Sequence, residues 1–417
     1  MSSIRSVAFH TLGCKLNYSE TSSLGRMLEK EGFEKKEFDQ AADVYVINTC
    51  SVTDNADKEC RQLVRRIQRR APESYVVITG CYAQLKPNEI ATIPGVDLVL
   101  GAAEKFNLPY HIKNLQQQEG TKICSCDIED VRDFTASWSS QDRTRSFLKV
   151  QDGCDYNCSF CTIPLARGKS RSDSIANVVA NARELAATQT KEVVLTGVNL
   201  GDFGQPGEDF FQLVQALDTV EGIDRYRISS IEPNLLTNEI VDFVAKSKRF
   251  MPHFHIPMQS GSDRILGLMR RRYKRALYTE RVEWIKQCMP HAAIGVDVIV
   301  GFPGETEEEF AETYSFLEQL PVTYLHVFTY SERDNTHALS LHNKVPTSVR
   351  QERNKKLRNL SFIKTKQFTA QFFDTVRPVL FEKAEHEGMM EGYTDNYIRV
   401  QTPYRSELIN TIVDWRI

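Results

Sequence analysis

Cys154-Asp155-Tyr156-Asn157-Cys158-Ser159-Phe160-Cys161 places three thiols within one short loop. Three thiolates ligate only three corners of a cubic iron-sulfur cluster, and the iron left open can bind a substrate or cofactor. A structural zinc site wants a fourth protein ligand, usually from a second C-x-x-C pair, and no His or Cys follows Cys161 at a suitable spacing. The chain opens Met1-Ser2-Ser3-Ile4-Arg5-Ser6 without an apolar signal segment, and no stretch approaches a membrane span. Reduced thiols in a cytoplasmic protein, away from any membrane, are the consistent reading.

Outward from this loop, Phe147 to Val150 reads as the strand that delivers it. Five further strands follow at Glu192 to Thr196, Arg225 to Ser230, His253 to Ile256, Ile294 to Val300 and Tyr324 to Tyr330. Helical patterns at Ile175 to Ala187, Phe210 to Val220, Thr237 to Lys246 and Glu305 to Leu320 separate most of them. Six β/α units predict a partial (β/α)6 barrel, whose active site is built from loops at the carboxyl ends of the strands. The loops with Gly197 and Asn199, Glu232, and Gln259-Ser260-Gly261 supply glycines for close backbone approach and polar groups for a ligand, although Gly and Asn are also ordinary loop formers. Gly301-Phe302-Pro303-Gly304 lacks the Lys-Ser/Thr ending of a phosphate loop.

Toward the start, strands at Val7 to Leu12, Val44 to Asn48 and Tyr75 to Thr79 alternate with helices at Ser19 to Gly32 and Asp54 to Arg70, which predicts an open parallel α/β sheet. Cys14, Cys50 and Cys81 each follow one of these strands, on the edge where such sheets bind ligands. A free cysteine after a strand is often only a small buried hydrophobe. Three at equivalent strand ends point instead to a second cluster. Cys60 lies inside the basic helix, Cys288 ends a helical stretch, and Cys124 and Cys126 form a C-x-C of weak surrounding pattern; none has a third partner.

The chain has 417 residues, 41% hydrophobic and 26% charged, with a net charge of -3, which gives a globular protein with material for two or three cores and excludes a uniformly basic surface. Basic runs stand out locally: Lys58, Arg61, Arg65, Arg66, Arg69 and Arg70 on one helix, Arg270, Arg271, Arg272, Lys274 and Arg275 on another, and Arg350 to Lys366. RNA phosphates are their natural partners, a solvated helix face the plain alternative. Leu115 to Gln141, rich in Gln, Ser and Asp, reads as a linker. From Asp374 the pattern changes to short strands, where Tyr393, Tyr397 and Arg399 can stack on or contact RNA. The domains expected are 1–125, 140–372 and 373–417, the last with room for a shortened final strand.

The three-cysteine loop resembles the signature of the radical S-adenosylmethionine (SAM) enzymes. With Gly13-Cys14-Lys15-Leu16-Asn17, Asn48-Thr49-Cys50, Thr79-Gly80-Cys81-Tyr82-Ala83-Gln84, Thr196-Gly197-Val198-Asn199, Ser229-Ser230-Ile231-Glu232-Pro233, Pro257-Met258-Gln259-Ser260-Gly261 and Asp297 to Thr306, the chain resembles the methylthiotransferase branch over essentially its whole length. Lys15, Leu16, Asn17 and Glu20 resemble the members acting on N6-threonylcarbamoyladenosine beside the tRNA anticodon; those acting on isopentenyladenosine usually carry Gln-Met-Asn there, and those acting on a ribosomal protein aspartate Pro-Lys-Asn.

The resemblance implies two 4Fe-4S clusters, on Cys154, Cys158 and Cys161 and on Cys14, Cys50 and Cys81, with SAM at the open iron of the first and the sulfur to be delivered at the second. An adenine C2–H has no acidity a side-chain base could use, so the implied chemistry is radical. It further implies a tRNA substrate, an electron donor such as flavodoxin or ferredoxin, a sulfur source, a monomer, and a small terminal β-barrel of the TRAM type that grips RNA. A noncatalytic iron-sulfur RNA-binding protein is the alternative from another class, and it has no use for open irons. One departure stands out: the family's Arg-Pro-Gly-Thr-x-Ala is here Arg333-Asp334-Asn335-Thr336-His337-Ala338, which predicts a differently shaped loop outside the cluster motifs.

Overall fold

A computed structural model describes residues 5–51, 54–115, 120–140 and 142–417. Contacts divide the chain into two units, one of Met1–Ser139, Phe147–Tyr156 and Thr162–Arg171, the other of Ser140–Ser146, Asn157–Cys161 and Ser172–Ile417. No helix among the described residues is long and apolar enough to cross a membrane.

The first unit runs β1 (Ser6–Thr11), α1 (Lys15–Lys30), β2 (Glu34–Lys36), β3 (Val44–Thr49), α2 (Asp54–Arg70), β4 (Tyr75–Gly80), α3 (Cys81–Leu85), α4 (Pro87–Ala91), β5 (Leu98–Leu100), α5 (Leu108–Lys113), β6 (Lys122–Cys124), β7 (Ser137–Trp138), β8 (Arg145–Lys149), β9 (Gln151–Asp152) and α6 (Ile163–Arg167), with the first two residues of β8 grouping with the second unit. Strands β2-β1-β3-β4-β5-β6 form one parallel sheet. Successive side chains of a strand point to opposite faces, so Tyr45 and Ile47 join one core while Val44 and Val46 join the other. In α2, Cys60, Leu63, Val64 and Ile67 recur at helical spacing and pack into the first of these cores.

Leu115 to Gln141 is not a plain linker. Its residues 116–119 and 141 lie outside the described residues, but Lys122–Cys124 adds β6 to the sheet edge and Ser137–Trp138 pairs antiparallel with β8. Thr121 Oγ1 donates to the Val96 and Ala91 carbonyls and Lys122 N to Asp97 O, which fixes a strand too short to show a period in sequence.

The second unit continues with β10 (Arg171–Ser172, shared with the first), α7 (Ile175–Ala187), β11 (Glu192–Thr196), α8 (Phe210–Asp218), β12 (Arg225–Ile228), α9 (Asn238–Lys246), β13 (His253–His255), α10 (Asp263–Leu268), α11 (Arg275–Cys288), β14 (Ala293–Val300), α12 (Glu307–Gln319), β15 (Tyr324–Thr329) and α13 (Thr347–Ala370). Ser174, Asp209, Thr237 and Thr306 cap their helices through side-chain oxygens, and Gln212 and Glu309 complete capping boxes. Strands β11 and β12 pair in parallel, as do β13, β14 and β15, and bridges Tyr226↔Phe250 and Ser230↔His255 join the two sets. Strands β16 (Val376–His386), β17 (Met389–Thr394), β18 (Arg399–Pro403) and β19 (Ile412–Arg416) form an antiparallel sheet in the order β18-β17-β16-β19.

Several sequence expectations for this unit need correction. Tyr397 stacks on His253 at 4.1 Å and on Tyr393 at 5.0 Å, with the Arg227 guanidinium 5.0 Å from its ring, so these tyrosines are packing rather than open stacking platforms for RNA. In α13, Arg350 pairs with Glu332, Arg353 with Glu305, and Lys364 donates to the Glu318 and Leu320 carbonyls; these three cations are buried and the run is no continuous basic face. Residues Arg270 to Lys274 are the turn between α10 and α11, not a helix, because Arg270 takes a left-handed φ of 57° and Lys274 only caps α11. In the departing loop, Asn335 stands where the family has Gly and adopts φ 63°, a backbone region Asn tolerates better than most residues. That loop is not remote either: Ala338 N donates to Ser159 O, between Cys158 and Cys161.

Candidate metal centre

Within the first unit, Cys14 caps α1 after β1, Cys50 follows β3, and Cys81 opens α3 after β4. The motif residues beside them lock their loops together. Asn17 Nδ2 donates to both Leu12 O and Thr49 O, Asn48 Nδ2 to Asn17 O, and Thr49 Oγ1 to Thr79 O at 2.5 Å. Two glycines permit the close approach: Gly13 has φ 103° and a Cβ there would overlap Cys50, and Gly80 has φ 100° and a Cβ would overlap the backbone of Thr49. The three cysteines thus arise from loops in mutual contact on the carboxyl edge of the sheet. The C-x-C reaches the same edge, since Gln84 Nε2, one turn after Cys81, donates to Cys126 O. Gly80→Ala is expected to cost roughly 1–3 kcal/mol from the left-handed backbone alone, and to lower iron uptake on reconstitution; urea denaturation and iron assay measure the two.

A buried charge cluster lies beside these loops and lines one cavity with Cys81. Glu20, 2% exposed, receives Lys105 Nζ at 2.6 Å and Arg167 Nη1 at 3.0 Å, and Arg167 also donates to Asp152 Oδ1 at 2.8 Å and Asn17 Oδ1 at 2.6 Å. Lys149 Nζ lies 3.3 Å from both Glu20 and Asp152. Burial pushes the Glu20 carboxyl up, but Arg167, then Lys105 and Lys149, more than offset it and hold the group well below the usual carboxylate range. Burial likewise pushes the Cys81 thiol up, while Arg167 and Lys105 pull it back toward the thiolate that a metal needs. Cys60, buried in α2, is pushed up to about 12 by burial and by Asp57, with Arg61 opposing them only in part.

In the three-cysteine loop, Cys154 groups with the first unit and Cys158 and Cys161 with the second. Cys154 N donates to Gly168 O, and Gly153, at φ 69°, lies so close to Lys169 O that no Cβ would fit. Cys161 N donates to Cys158 O, and Ser159 N to Met269 O, which shapes the second half of the loop. The loops with Gly197 and Asn199, Glu232, and Gln259 to Gly261 follow β11, β12 and β13 and so share one edge of the second unit. Asn199 Oδ1 accepts from Glu232 N at 3.3 Å, Gly261 N donates to Thr313 Oγ1, and Gln259 holds a left-handed φ of 67°. A non-glycine in that region is strain retained by its surroundings, of the kind that collects at ligand sites.

Two residues of these sites escaped the sequence reading of their roles. Arg271, read as an RNA contact, has a side chain only 4% exposed; it donates to Cys158 Sγ at 3.0 Å and pairs with Glu232, so phosphate cannot reach it. Only the neighbouring Tyr273, buried and two residues on, breaks the polar run that concealed it. Arg167 sits just after Cys161 in sequence, and nothing in its local pattern announces partners 147 and 150 residues away. Of the remaining predicted cations, Arg65, Arg66, Arg69, Arg272 and Arg399 are exposed, although Arg66 lies 5.3 Å from the Phe38 ring and Arg399 pairs with Glu391.

Residues 6–101 match the model of an uncharacterized protein family, UPF0004, and residues 148–317 that of the radical SAM superfamily. A threonylcarbamoyladenosine tRNA methylthiotransferase MtaB of Bacillus subtilis is 41% identical over 99% of this chain and 93% of its own length; its Aquifex aeolicus counterpart is 41% identical over 87% and 89%. The chain belongs to the radical SAM tRNA methylthiotransferases. A more distant methylthiotransferase relative, the tRNA-2-methylthio-N(6)-dimethylallyladenosine synthase of Thermobifida fusca, is 32% identical over 92% of this chain and 79% of its own length. Among solved structures, the radical SAM methyltransferase TsrM from Kitasatospora setae superposes with a TM-score of 0.58 at 16% identity, covering 78% of this chain and 73% of that one, which supports the radical SAM fold. As a radical SAM methylthiotransferase the protein is an enzyme of sulfur and methyl transfer that uses SAM and a 4Fe-4S cluster, and thiols in a closely spaced loop fit that cluster's donor set.

Proposed function

We propose that the enzyme adds a methylthio group to C2 of N6-threonylcarbamoyladenosine next to the anticodon of tRNA, using two 4Fe-4S clusters. Cys154, Cys158 and Cys161 would hold the SAM-binding cluster, and Cys14, Cys50 and Cys81 the auxiliary one. The observation that carries the second assignment is the contact of the three loops: Gly13 and Gly80 give up any side chain so that thiols from three separate strand ends share one edge. When bound, the clusters and SAM supply one-electron chemistry at an unactivated C–H bond and a place for the incoming sulfur.

The protein's own groups do the positioning. Burial holds the Cys81 and Cys158 thiols up; Arg167 and Lys105 oppose this in part at Cys81, and Arg271 does so at Cys158. Gly197, Asn199, Glu232, Gln259, Ser260 and Gly261 are the SAM contacts of this proposal, the glycines for close backbone approach and the others for polar groups. Exposed Arg65, Arg66 and Arg69 on α2, with Arg272 and Arg399, take RNA phosphates, so binding should weaken with salt. The substrate assignment rests on 41% identity to the threonylcarbamoyladenosine enzymes against 32% to a dimethylallyladenosine enzyme, and on Lys15, Leu16, Asn17 and Glu20. A small electron-transfer protein and a sulfur donor complete the scheme.

Mass spectrometry of tRNA nucleosides from cells with and without the gene tests the substrate. Loss of the methylthio form of threonylcarbamoyladenosine is the expected result; loss of the isopentenyl analogue instead would overturn the assignment.

A further inference from the structure

The inner face of β13, β14 and β15 carries polar groups that neither the clusters nor SAM account for. Leu325 is buried on the side of α13, where its N–H donates to Ser361 Oγ, so alternation turns Tyr324, His326 and Phe328 to the opposite face. On that face His255, Asp297 and His326 bring one ligand atom each within 4.8 Å of one another. Asp297 and His326 are register partners across the β14/β15 ladder. His255 is held at both nitrogens: Nε2 lies 2.8 Å from Asp297 Oδ1 and Nδ1 3.1 Å from Ser230 Oγ. The stack of His253, Tyr324 and Tyr397 closes the face one layer below. One layer above is the proposed SAM loop, with Met258 N and Gln259 N both donating to Asp297 O. The His255 and Asp297 side chains are 15% and 20% exposed and His326 is exposed, on a strand that ends its ladder and so leaves a way in from the side.

The group therefore offers an acceptor, the Asp297 carboxylate held by His255, beside a donor, the exposed His326 imidazole. A threonylcarbamoyl substituent presents the complement: a carboxylate, and a hydroxyl and ureido N–H groups that donate. An isopentenyl substituent presents none of these, and would leave polar groups without partners. We propose that His326 receives the carboxylate of the threonylcarbamoyl group while Asp297, positioned by His255, accepts from its hydroxyl or ureido N–H. This rests on the substrate reading above.

The test uses full-length reconstituted enzyme and anticodon stem-loops carrying threonylcarbamoyladenosine or the same nucleoside with its carboxyl capped as a methylamide. Capping should raise KM roughly tenfold or more for the unaltered enzyme, the scale of one charge-assisted hydrogen bond. His326→Leu should have a raised KM for the free acid and no preference between the two RNAs, and His326→Lys should restore part of that preference. Equal KM values for both RNAs with the unaltered enzyme, or a full preference retained by His326→Leu, would overturn this assignment alone. Methylthiolation only of an isopentenyladenosine stem-loop would overturn the substrate reading and this inference with it.

Discussion

Replacing Cys14, Cys50 and Cys81 together by serine should reduce methylthio product to background while leaving reductive cleavage of SAM measurable. The two triplets belong to different parts of the sequence, and the serine triplet leaves Cys154, Cys158 and Cys161 untouched. Serine keeps the volume of each side chain nearly unchanged, so the contacts that Gly13 and Gly80 permit survive, and the loss reports ligation rather than misfolding. The complementary variant, with Cys154, Cys158 and Cys161 as serine, should lose both SAM cleavage and product. Chromatographic assay of 5'-deoxyadenosine and of the modified nucleoside separates the two outcomes. Full product from the first variant would contradict the account.

The second large effect is on stability. Arg167→Met removes a guanidinium that touches Glu20, Asp152 and Asn17, and leaves two buried carboxylates with only Lys105, Lys149 and the more distant Arg171 to compensate them. Breaking a buried pair from one side costs roughly 3–5 kcal/mol, so the denaturation midpoint of the variant should fall clearly. The pH dependence follows from the same groups. Burial raises the Glu20 and Asp152 carboxyls, but Arg167 and the neighbouring lysines hold both below the usual range. A depressed carboxylate stabilises the fold fully above its unfolded pKa, and that contribution is lost as pH falls through the folded value. The unaltered protein should therefore lose this stabilisation below about pH 4, and Arg167→Met should show a shallower loss over that range because much of it is already gone. Urea denaturation at several pH values measures both.

Strand positions were legible because their signals are local. Glu192–Thr196 and the helices Asp54–Arg70 and Ile175–Ala187 lie where the apolar and helical patterns put them. The strand-end cysteines could be read for the same reason, since a parallel sheet converts distant residues into neighbours at its edge. Charged residues were legible less well. Arg271, Arg353 and Lys364 look in sequence like members of solvated basic runs, and only tertiary partners such as Glu232, Glu305 and the Leu320 carbonyl show them to be buried. Arg167 and Glu20 illustrate the limit: a buried ion pair between residues far apart in sequence has no local signature. Short strands such as Lys122–Cys124 are missed because the interactions that define them come from the sheet rather than from their own side chains.

The most direct measurement is quantitation of iron and inorganic sulfide, with Mössbauer spectra, on anaerobically reconstituted protein and its two triple-serine variants. The account predicts about eight irons per chain in the unaltered protein and about four in each variant, all as 4Fe-4S clusters. About four irons in the unaltered protein, unchanged when Cys14, Cys50 and Cys81 are removed, would contradict it.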